Sequence, residues 1–338
     1  MKRIKTIFFL SLILCILCSP FYHVSAAEMA FSVETVIPSN QIDTSKTYFD
    51  LKMKPKAKQK LLVKLTNTTK EPVTIAMSAN TAITNDNGIV EYTHTKQKKD
   101  SSLKFDFADI VKVAKEITLP ANSSKKIPVY ITMPKEKFNG VLLGGLHFVK
   151  KTDAEKDKPE DNSQVKNNYA YVVGVSLQET NKTVLPHLKL RSVKASQSNL
   201  RNVISANIQN DKAAIIPDLS ISGKISKGNS DKVLFQTKKD GLKMAPNSNF
   251  NYLISAENKP FKPGKYVFEG TAKAGKQTWH FTKTFTIKDK EANAYNDKAV
   301  DLEKNYTWLY LVIGISIFVI LIAVIIWLIY KLKKQQKK

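Results

Sequence analysis

The residue types that most often hold metals or attack substrates are few and scattered in this chain. Beyond residue 27 the histidines are His94, His147, His187 and His280. No two of them have the spacing of a metal site, and no His-Glu-x-x-His motif occurs. Both cysteines, Cys15 and Cys18, lie in the N-terminal apolar run, so the rest of the chain can form neither a disulfide nor a thiolate site. We therefore expect no metal and no other cofactor.

Carboxylates could supply acid–base chemistry, and several are scattered along the first part of the chain: Asp43, Asp50, Asp86, Asp106 and Asp109. A glycosidase needs two carboxylates at a fixed separation, which sequence alone neither establishes nor excludes. The run Asp86-Asn87-Gly88 matches part of a calcium loop, but the other ligands are missing and a hairpin turn is favoured. With no Gly-x-Ser-x-Gly elbow and no phosphate-binding glycine loop, we expect a non-catalytic protein.

Three glycines stand close together in the run Gly-Val-Leu-Leu-Gly-Gly-Leu-His-Phe, at Gly140, Gly144 and Gly145. They would allow something to approach the backbone closely, such as a ligand. A β-bulge or tight packing within a sheet is the favoured interpretation.

Short segments with apolar residues at alternate positions fill the chain from Phe31 to Lys288. The clearest segment places Trp279, Phe281, Phe285 and Ile287 on one face, with threonines along most of the other. Period two over ten residues is typical of a half-buried strand. Because many such strands follow one another without helices between them, we predict an all-β ectodomain. The predicted fold class of this ectodomain is two tandem antiparallel immunoglobulin-like β-sandwiches, and one C-terminal transmembrane helix follows it.

Breaks in this pattern mark turns, loops and a domain junction. Asn87-Gly88 and Asn139-Gly140 predict turns with positive φ angles. Phe107–Lys115 predicts a short helix. The charged segment Thr152–Asn168 predicts a mobile loop inside the first domain, because strand-like runs flank it closely. The junction between the domains is expected near Asn181–Pro186.

The two ends of the chain carry targeting signals. Met1–Ala27 has a basic start, an apolar run and a small-residue exit, which predict a signal peptide cleaved between Ala27 and Glu28; a retained anchor is the alternative. Leu309–Ile329 is 21 residues without a charge, about 32 Å as a helix, which matches a bilayer. The basic tail after it predicts a type I orientation, with the ectodomain extracellular in the cell wall. The predicted order is signal peptide 1–27, first domain 28–182, second domain 183–290, stalk 291–307, transmembrane helix 308–330 and cytoplasmic tail 331–338.

The formal net charge of the chain is +24. Removing the three positive charges of residues 1–27 and the five of residues 331–338, segments without acidic residues, leaves +16 for the ectodomain. Outside a cell such a charge indicates anionic wall polymers, lipid headgroups or acidic partners rather than nucleic acid. A solvated lysine-rich surface without a specific partner is the alternative.

Segments along nearly the whole mature chain also follow, in order, those of one known family. They include Pro38–Gln41, Tyr48–Leu51, Ala82–Tyr92, Phe138–Gly145, Asn168–Tyr171, Met244–Phe250, Pro263–Tyr266 and Trp279–Phe285. In this collinear set the chain resembles the WxL-interacting proteins of Gram-positive bacteria. It differs from them after Pro55, where Lys56 stands in place of the family's usual glycine.

The resemblance implies a peptidoglycan-binding first domain and a host-binding second domain. It implies a membrane-anchored, non-catalytic surface scaffold whose partners are peptidoglycan or anionic wall polymers, WxL-domain proteins and host matrix proteins. An assembly factor or chaperone for surface proteins is the alternative function, and a wall-modifying enzyme is a third.

Ligand contacts in the first domain are expected from exposed aromatic and polar side chains on a sheet face. The candidates are Asn40, Gln41, Tyr48 and Phe49. The alternative assigns them to turns and to the core, and for Phe49 a core position is favoured.

Overall fold

The computed structural model describes residues 29–93, 99–151, 169–228, 230, 232–303 and 307–335. The predicted signal peptide with its cleavage site at Ala27 and Glu28, the predicted loop Thr152–Asn168 and the end of the basic tail lie outside these residues. The described residues form two consecutive β-sandwiches followed by two helices.

The first sandwich consists of two sheets with the strand orders β1-β3-β9-β7 and β2-β11-β10-β4-β8, and a small β5-β6 ladder beside them. Its elements are β1 (Phe31–Val36), β2 (Phe49–Lys52), β3 (Lys58–Asn67), β4 (Val73–Thr81), β5 (Ile83–Thr84), β6 (Val90–Glu91), α1 (Phe107–Ile110), β7 (Val111–Val113), β8 (Glu116–Leu119), β9 (Ser124–Thr132), β10 (Leu142–Lys150) and β11 (Ala170–Gln178). The first two strands lie at the edges of different sheets. β1 pairs antiparallel with β3 in one sheet, and β2 pairs parallel with β11 in the other. The other neighbouring strands of both sheets are antiparallel, an arrangement found in immunoglobulin-like sandwiches.

The second sandwich consists of two antiparallel sheets with the strand orders β12-β13-β16 and β15-β14-β17-β18. Its strands are β12 (Leu188–Ser198), β13 (Arg201–Asn210), β14 (Ile216–Lys227), β15 (Val233–Met244), β16 (Ser248–Ser255), β17 (Gly264–Ala274) and β18 (Gln277–Ile287). The helices α2 (Asp289–Lys298) and α3 (Thr307–Gln335) follow. The predicted all-β fold of the two domains, with one apolar C-terminal helix, is thus confirmed.

Alternating burial explains why these segments are strands. In β3 the side chains of Leu61, Val63 and Leu65 are fully buried, whereas the residues between them are only half-buried. In β18 the side chains of Phe281 and Phe285 enter the core of the second sandwich while the threonines face outward. Each sandwich therefore has its own apolar core, built from alternate residues of its two sheets.

The predicted helix Phe107–Lys115 is wrong beyond its first turn. α1 ends at Ile110, and Val111–Val113 continue as β7, paired antiparallel with β9. The valines in this segment favour a strand, and pairing with β9 supplies the hydrogen bonds that a longer helix would have made.

The predicted stalk 291–307 is also wrong over most of its length, because its first part packs on the second sandwich. In α2, Ala292 is fully buried and the ring of Tyr295 lies 6.0 Å from that of Phe261, edge to face. The Asn296 side chain accepts a hydrogen bond from the Phe261 backbone N–H at 2.8 Å and donates to its carbonyl at 2.9 Å. Backbone hydrogen bonds from Val300 and Glu303 continue this docking as far as residue 303.

The helix α3 is long enough and apolar enough to cross a membrane. Its most apolar window, Tyr310–Trp327, has a mean hydropathy of 2.9 and no part of it is buried against the sandwiches. A span of 18 residues measures about 27 Å as a helix, close to the thickness of a bilayer core.

The two sandwiches contact each other directly. Backbone hydrogen bonds join Val141 N–H to the Ala213 carbonyl at 2.8 Å and Lys243 N–H to the Gly88 carbonyl at 2.7 Å. A small apolar cluster also joins residues from both sandwiches, with Ala82, Leu143 and Ala245 buried and Val90, Tyr92 and Val141 packed around them.

A second, polar part of the junction is centred on the carboxylate of Asp100, whose side chain is only 2% exposed. Ser102 donates to it from the first sandwich at 2.8 Å, and Gln209 donates from the second sandwich at 2.6 Å. Asn249 and Arg191 of the second sandwich approach its other oxygen. Burial alone would raise the pKa of Asp100, but the hydrogen bonds from Ser102, Gln209 and Asn249 outweigh it and hold the pKa below its usual value.

Candidate binding cleft at the junction of the sandwiches

A large cleft lies where the outer face of the β2-β11-β10 sheet meets the second sandwich. Its volume is about 1240 Å³, above the range of roughly 300–1,000 Å³ that holds most small ligands. The cleft is therefore large enough for a segment of a polymer.

Gly174 of β11 lines the floor of the cleft, and Gly145 lies beside it beneath Tyr92. Gly145 of β10 and Gly174 of β11 are register partners, and neither covers the backbone with a side chain. A Cβ atom at Gly174 would lie 3.7 Å from the Cβ atom of Tyr48, and one at Gly145 would lie 2.8 Å from that of Tyr92. Gly145 thus lets Tyr92 lie against the sheet, and Tyr48 lies on the same sheet face above Gly174.

Tyr48 is 39% exposed and is held in place by its neighbour in the loop before β2. The Gln41 side-chain amide donates to the Tyr48 carbonyl at 2.8 Å, and its oxygen accepts from the Asp50 backbone N–H at 3.1 Å. Thr35 ties the same loop to β1 by donating to the Thr47 carbonyl at 2.8 Å.

Of the four predicted ligand residues, only Tyr48 lines the cleft. Phe49 is 0% exposed in the core of the first sandwich, so its assignment as a ligand contact is corrected: no ring surface is free. Gln41 is buried as the brace of Tyr48, and Asn40 exchanges two hydrogen bonds with Gln59, at 2.9 and 2.7 Å. Both polar side chains therefore support the loop.

Tyr92 is an aromatic residue of the cleft that the sequence reasoning missed, and Tyr171 is another. The buried Asn80 side chain donates to the Tyr92 carbonyl at 2.6 Å and so fixes the end of β6 over β10. Burial raises the pKa of the Tyr92 hydroxyl, and nearby Tyr48 adds to the effect. No spacing in the sequence links two tyrosines 44 positions apart, although Tyr92 ends one of the segments that carried the family resemblance.

The other wall of the cleft comes from the second sandwich. Ile215, Pro217 and Lys243 line it there, facing Ile89 and Val172 of the first sandwich. The side chains of Ile89, Val172 and Ile215 are 55%, 41% and 38% exposed, so apolar surface is open to solvent on both sides. An apolar surface of this kind, rimmed by polar residues, is typical of a binding site.

Two family profiles match the chain in tandem. Residues 31–150 match the profile described as WxL Interacting Protein, peptidoglycan binding domain, and residues 160–297 match WxL Interacting Protein, host binding domain. The chain belongs to the WxL interacting protein family. The resemblance drawn from the sequence is thereby confirmed, as is the order of the two domains.

Solved structures similar to this WxL interacting protein include chaperones, one of them in a complex. One is the chaperone–tip adhesion subunit pre-assembly complex CsuC–CsuE of Acinetobacter baumannii, 12% identical, covering 75% of this chain and 98% of that chain at a TM-score of 0.32. Another is the E. coli chaperone DraB, 11% identical, covering 76% and 98% at a TM-score of 0.28. TM-scores this low say nothing about function. No curated protein matches the chain.

The profile for the host-binding domain begins at residue 160, before β11. In the structure, however, β11 lies between β2 and β10 in the first sandwich, and the second sandwich starts with β12. The predicted domain boundary after Lys182 falls between these two strands. The cleft is thus built mainly on the peptidoglycan-binding sandwich, with β11 as part of its floor.

A peptidoglycan-binding domain followed by an apolar helix places this WxL interacting protein at the cell surface, anchored in the membrane. The charges that line the cleft cancel, since Glu34 and Asp50 are matched by Lys46 and Lys243. The cleft therefore differs from residues 28–330 as a whole, whose formal net charge is +16.

Within the described part of the chain, no group of three or more His, Cys, Asp or Glu side chains could hold a metal ion. His147 is half-buried, and this burial lowers its pKa. His187 contacts Asp211 at 3.0 Å and His280 contacts Thr271 at 3.2 Å, on other parts of the molecule. The absence of a metal and of a cofactor remains an expectation.

Proposed function

We propose that this protein is a non-catalytic surface scaffold that binds peptidoglycan through the cleft between its sandwiches and WxL-domain proteins elsewhere on its surface. In this proposal the orientation is type I, with both sandwiches outside the cell and the basic tail in the cytoplasm. In this proposal the second sandwich contacts host ligands, including matrix proteins, and the match to the host binding domain profile supports that placement.

The observation that carries the proposal is the pair Tyr48 and Tyr92 above the paired glycines Gly145 and Gly174. A sugar ring has apolar C–H faces and a polar rim, and a tyrosine offers an apolar ring with a polar tip. Two such rings on one sheet face fit a glycan chain lying along the cleft, with Thr44, Ser45 and Gln178 as polar neighbours for its hydroxyl and amide groups.

The positive ectodomain supplies a second, less specific attraction to the anionic wall. Such an attraction is screened by salt, because the Debye length falls from about 10 Å at 0.1 M to about 3 Å at 1 M. Contacts inside the charge-balanced cleft are short-ranged and should persist. Salt therefore separates binding in the cleft from attraction by the surface charge.

We expect the full-length protein in detergent to pellet with isolated peptidoglycan sacculi at both 0.1 M and 1 M salt. Replacing Tyr48 and Tyr92 together by alanine removes both rings from the floor, and each ring at the centre of an interface contributes about 2 kcal/mol. The apparent affinity at 1 M salt should then fall at least thirtyfold, measured as the protein concentration that gives half-maximal pelleting.

The matched control is Tyr130→Ala, which removes a tyrosine that is 52% exposed on β9, in the other sheet. This variant should pellet like the unchanged protein. Two results would rule out the cleft as the glycan site. One is that the unchanged protein no longer pellets at 1 M salt, and the other is that the variant without both cleft tyrosines still pellets as before.

A further inference from the structure

A second open groove lies between the two sheets of the second sandwich. β12 is an edge strand of one sheet and pairs only with β13, and β18 is an edge strand of the other and pairs only with β17, among the residues that the structure describes. The two edges lie side by side without pairing and leave a groove of about 670 Å³ lined by His187–Leu190 and Thr278–Lys283. Backbone groups on the free edge of β18 are therefore available to a partner.

The floor of this groove is apolar. Leu188 and Phe281 are buried at 3% and 8% exposure, and Leu190 and Trp279 pack half-buried against the same core. A strand lying in the groove would place every second side chain against this floor.

One end of the groove is closed by the protein itself. The ladder of β12 is interrupted by a bulge between Leu190 and Ser192, and Lys283 donates from its ammonium group to the carbonyl of Arg191 in that bulge at 2.9 Å. Bulges and inward-pointing lysines protect edge strands from unwanted pairing. This protection stops at Lys283 and leaves Thr278–Thr282 open, a stretch of roughly 17 Å at about 3.3 Å per residue.

Two lysines, Lys189 and Lys283, make the walls of the groove positively charged. His187 and His280 also line it, and none of the residues that line it is acidic. The carboxylate of Asp211 pairs with Lys189 and contacts His187, so within the described residues Lys283 carries the charge of the groove that no carboxylate balances. The side chains that project from an added strand toward these walls are therefore favoured if they are acidic.

We propose that this groove binds an extended acidic segment of a partner protein, which adds as a strand to the free edge of β18 between Thr278 and Thr282. Alternate apolar side chains of the segment contact Leu188, Leu190 and Trp279, and the acidic side chains between them face Lys189 and Lys283. Strand addition supplies affinity through backbone hydrogen bonds, and the apolar floor and basic walls supply specificity. The site depends on the second sandwich alone and is independent of glycan binding in the cleft.

Trp279 provides a reporter at the groove. The chain has three tryptophans, and the other two, Trp308 and Trp327, belong to the membrane-spanning helix. In the full-length W308F/W327F protein in detergent, a synthetic eight-residue peptide of alternating valine and glutamate should blue-shift Trp279 emission saturably. It should also slow hydrogen exchange at residues 278–282 at least tenfold.

Two control peptides test the two parts of the proposal on the unaltered groove. A peptide with proline in place of two valines cannot pair as a strand, and a peptide of alternating valine and lysine carries the wrong charge. Both should bind at least tenfold more weakly. The variant Lys189→Glu/Lys283→Glu should weaken the acidic peptide similarly, whereas Lys194→Glu/Lys265→Glu, an equal change of charge outside the groove, should not.

If the proline peptide bound as tightly as the valine–glutamate peptide, binding would depend on surface charge alone, and strand addition would be overturned. Equal binding of the lysine peptide would overturn the acidic partner. No saturable change up to millimolar valine–glutamate peptide would overturn the site itself, whatever the outcome of sacculus pelleting.

Discussion

Replacement of Asp100 by alanine is expected to uncouple the two sandwiches, so that they unfold in two steps. Removal of the carboxylate leaves the side chains of Gln209 and Asn249 without their acceptor in the junction. Each buried polar group left unpaired costs about 1–3 kcal/mol, so the loss should be about 3 kcal/mol in all. Urea unfolding of the W308F/W327F background checks this, with Trp279 emission reporting the second sandwich and far-ultraviolet circular dichroism reporting both.

The same carboxylate predicts a dependence on pH. Because its hydrogen bonds hold the pKa of Asp100 below the usual value for an unfolded aspartate, about 3.9, the folded protein keeps the charged form to lower pH than the unfolded chain. Its contribution to stability is therefore complete above about pH 5 and is lost as the pH falls below about 4. The two transitions should separate in this acidic range in the unchanged protein.

The control for this prediction is Asp218→Ala, which removes an exposed aspartate from β14. In this variant the urea unfolding curves from Trp279 emission and from circular dichroism should stay superimposed at pH 7. If Asp100→Ala also left them superimposed, the polar half of the junction would contribute little, and the apolar cluster of Ala82, Leu143 and Ala245 would hold the sandwiches together.

Replacement of Gly144 by alanine is expected to destabilise the first sandwich by about 3 kcal/mol, at the upper end of the cost of overpacking a core. The added Cβ atom would lie 2.1 and 2.2 Å from two ring atoms of Phe107. Phe107 is 0% exposed, and it lies in α1 against the core, so the ring has no free space into which to move. Chemical denaturation followed by circular dichroism measures the loss.

The matched control is Gly174→Ala on the neighbouring strand. Its Cβ atom would lie 3.7 Å from that of Tyr48, an ordinary contact, and alanine restricts the unfolded chain more than glycine does. Stability should therefore stay unchanged or rise by about 0.5 kcal/mol. If both variants lost the same free energy of unfolding, the loss would come from the backbone conformation that glycine adopts in this sheet. The contact with Phe107 would then not explain the loss at Gly144.

The sequence predicted the elements more fully than their contacts. Alternating apolar residues identified strands such as β18, and the favoured interpretation of Gly144 and Gly145 as sites of tight packing holds, since Phe107 and Tyr92 lie against them. The predicted stalk was wrong because Ala292 and Asn296 stabilise α2 through contacts that no apolar period reveals. Phe49 was placed correctly only by the alternative that assigned it to the core.

The candidate site was less predictable than the fold. Tyr48 was found from the sequence, but Tyr92 and Gly174 were not, because they converge only when β10 and β11 pair in register. The polar junction is similar: Asp100 and Gln209 are separated by 109 residues and meet only when both sandwiches have formed.

By itself, the sequence determined the all-β class, the apolar helix, and turns such as Asn87-Gly88 and Asn139-Gly140, because periodicity and backbone strain are local. Gly88 and Gly140 do have positive φ angles, of 71° and 86°. Only the tertiary structure showed that both glycines also allow the two sandwiches to approach closely at the junction. A Cβ atom at Gly88 would lie 2.6 Å from Leu242, and one at Gly140 would lie 2.1 Å from the Ala213 carbonyl oxygen. Contacts of this kind depend on how two separately folded cores pack against each other, and local sequence patterns do not predict that packing.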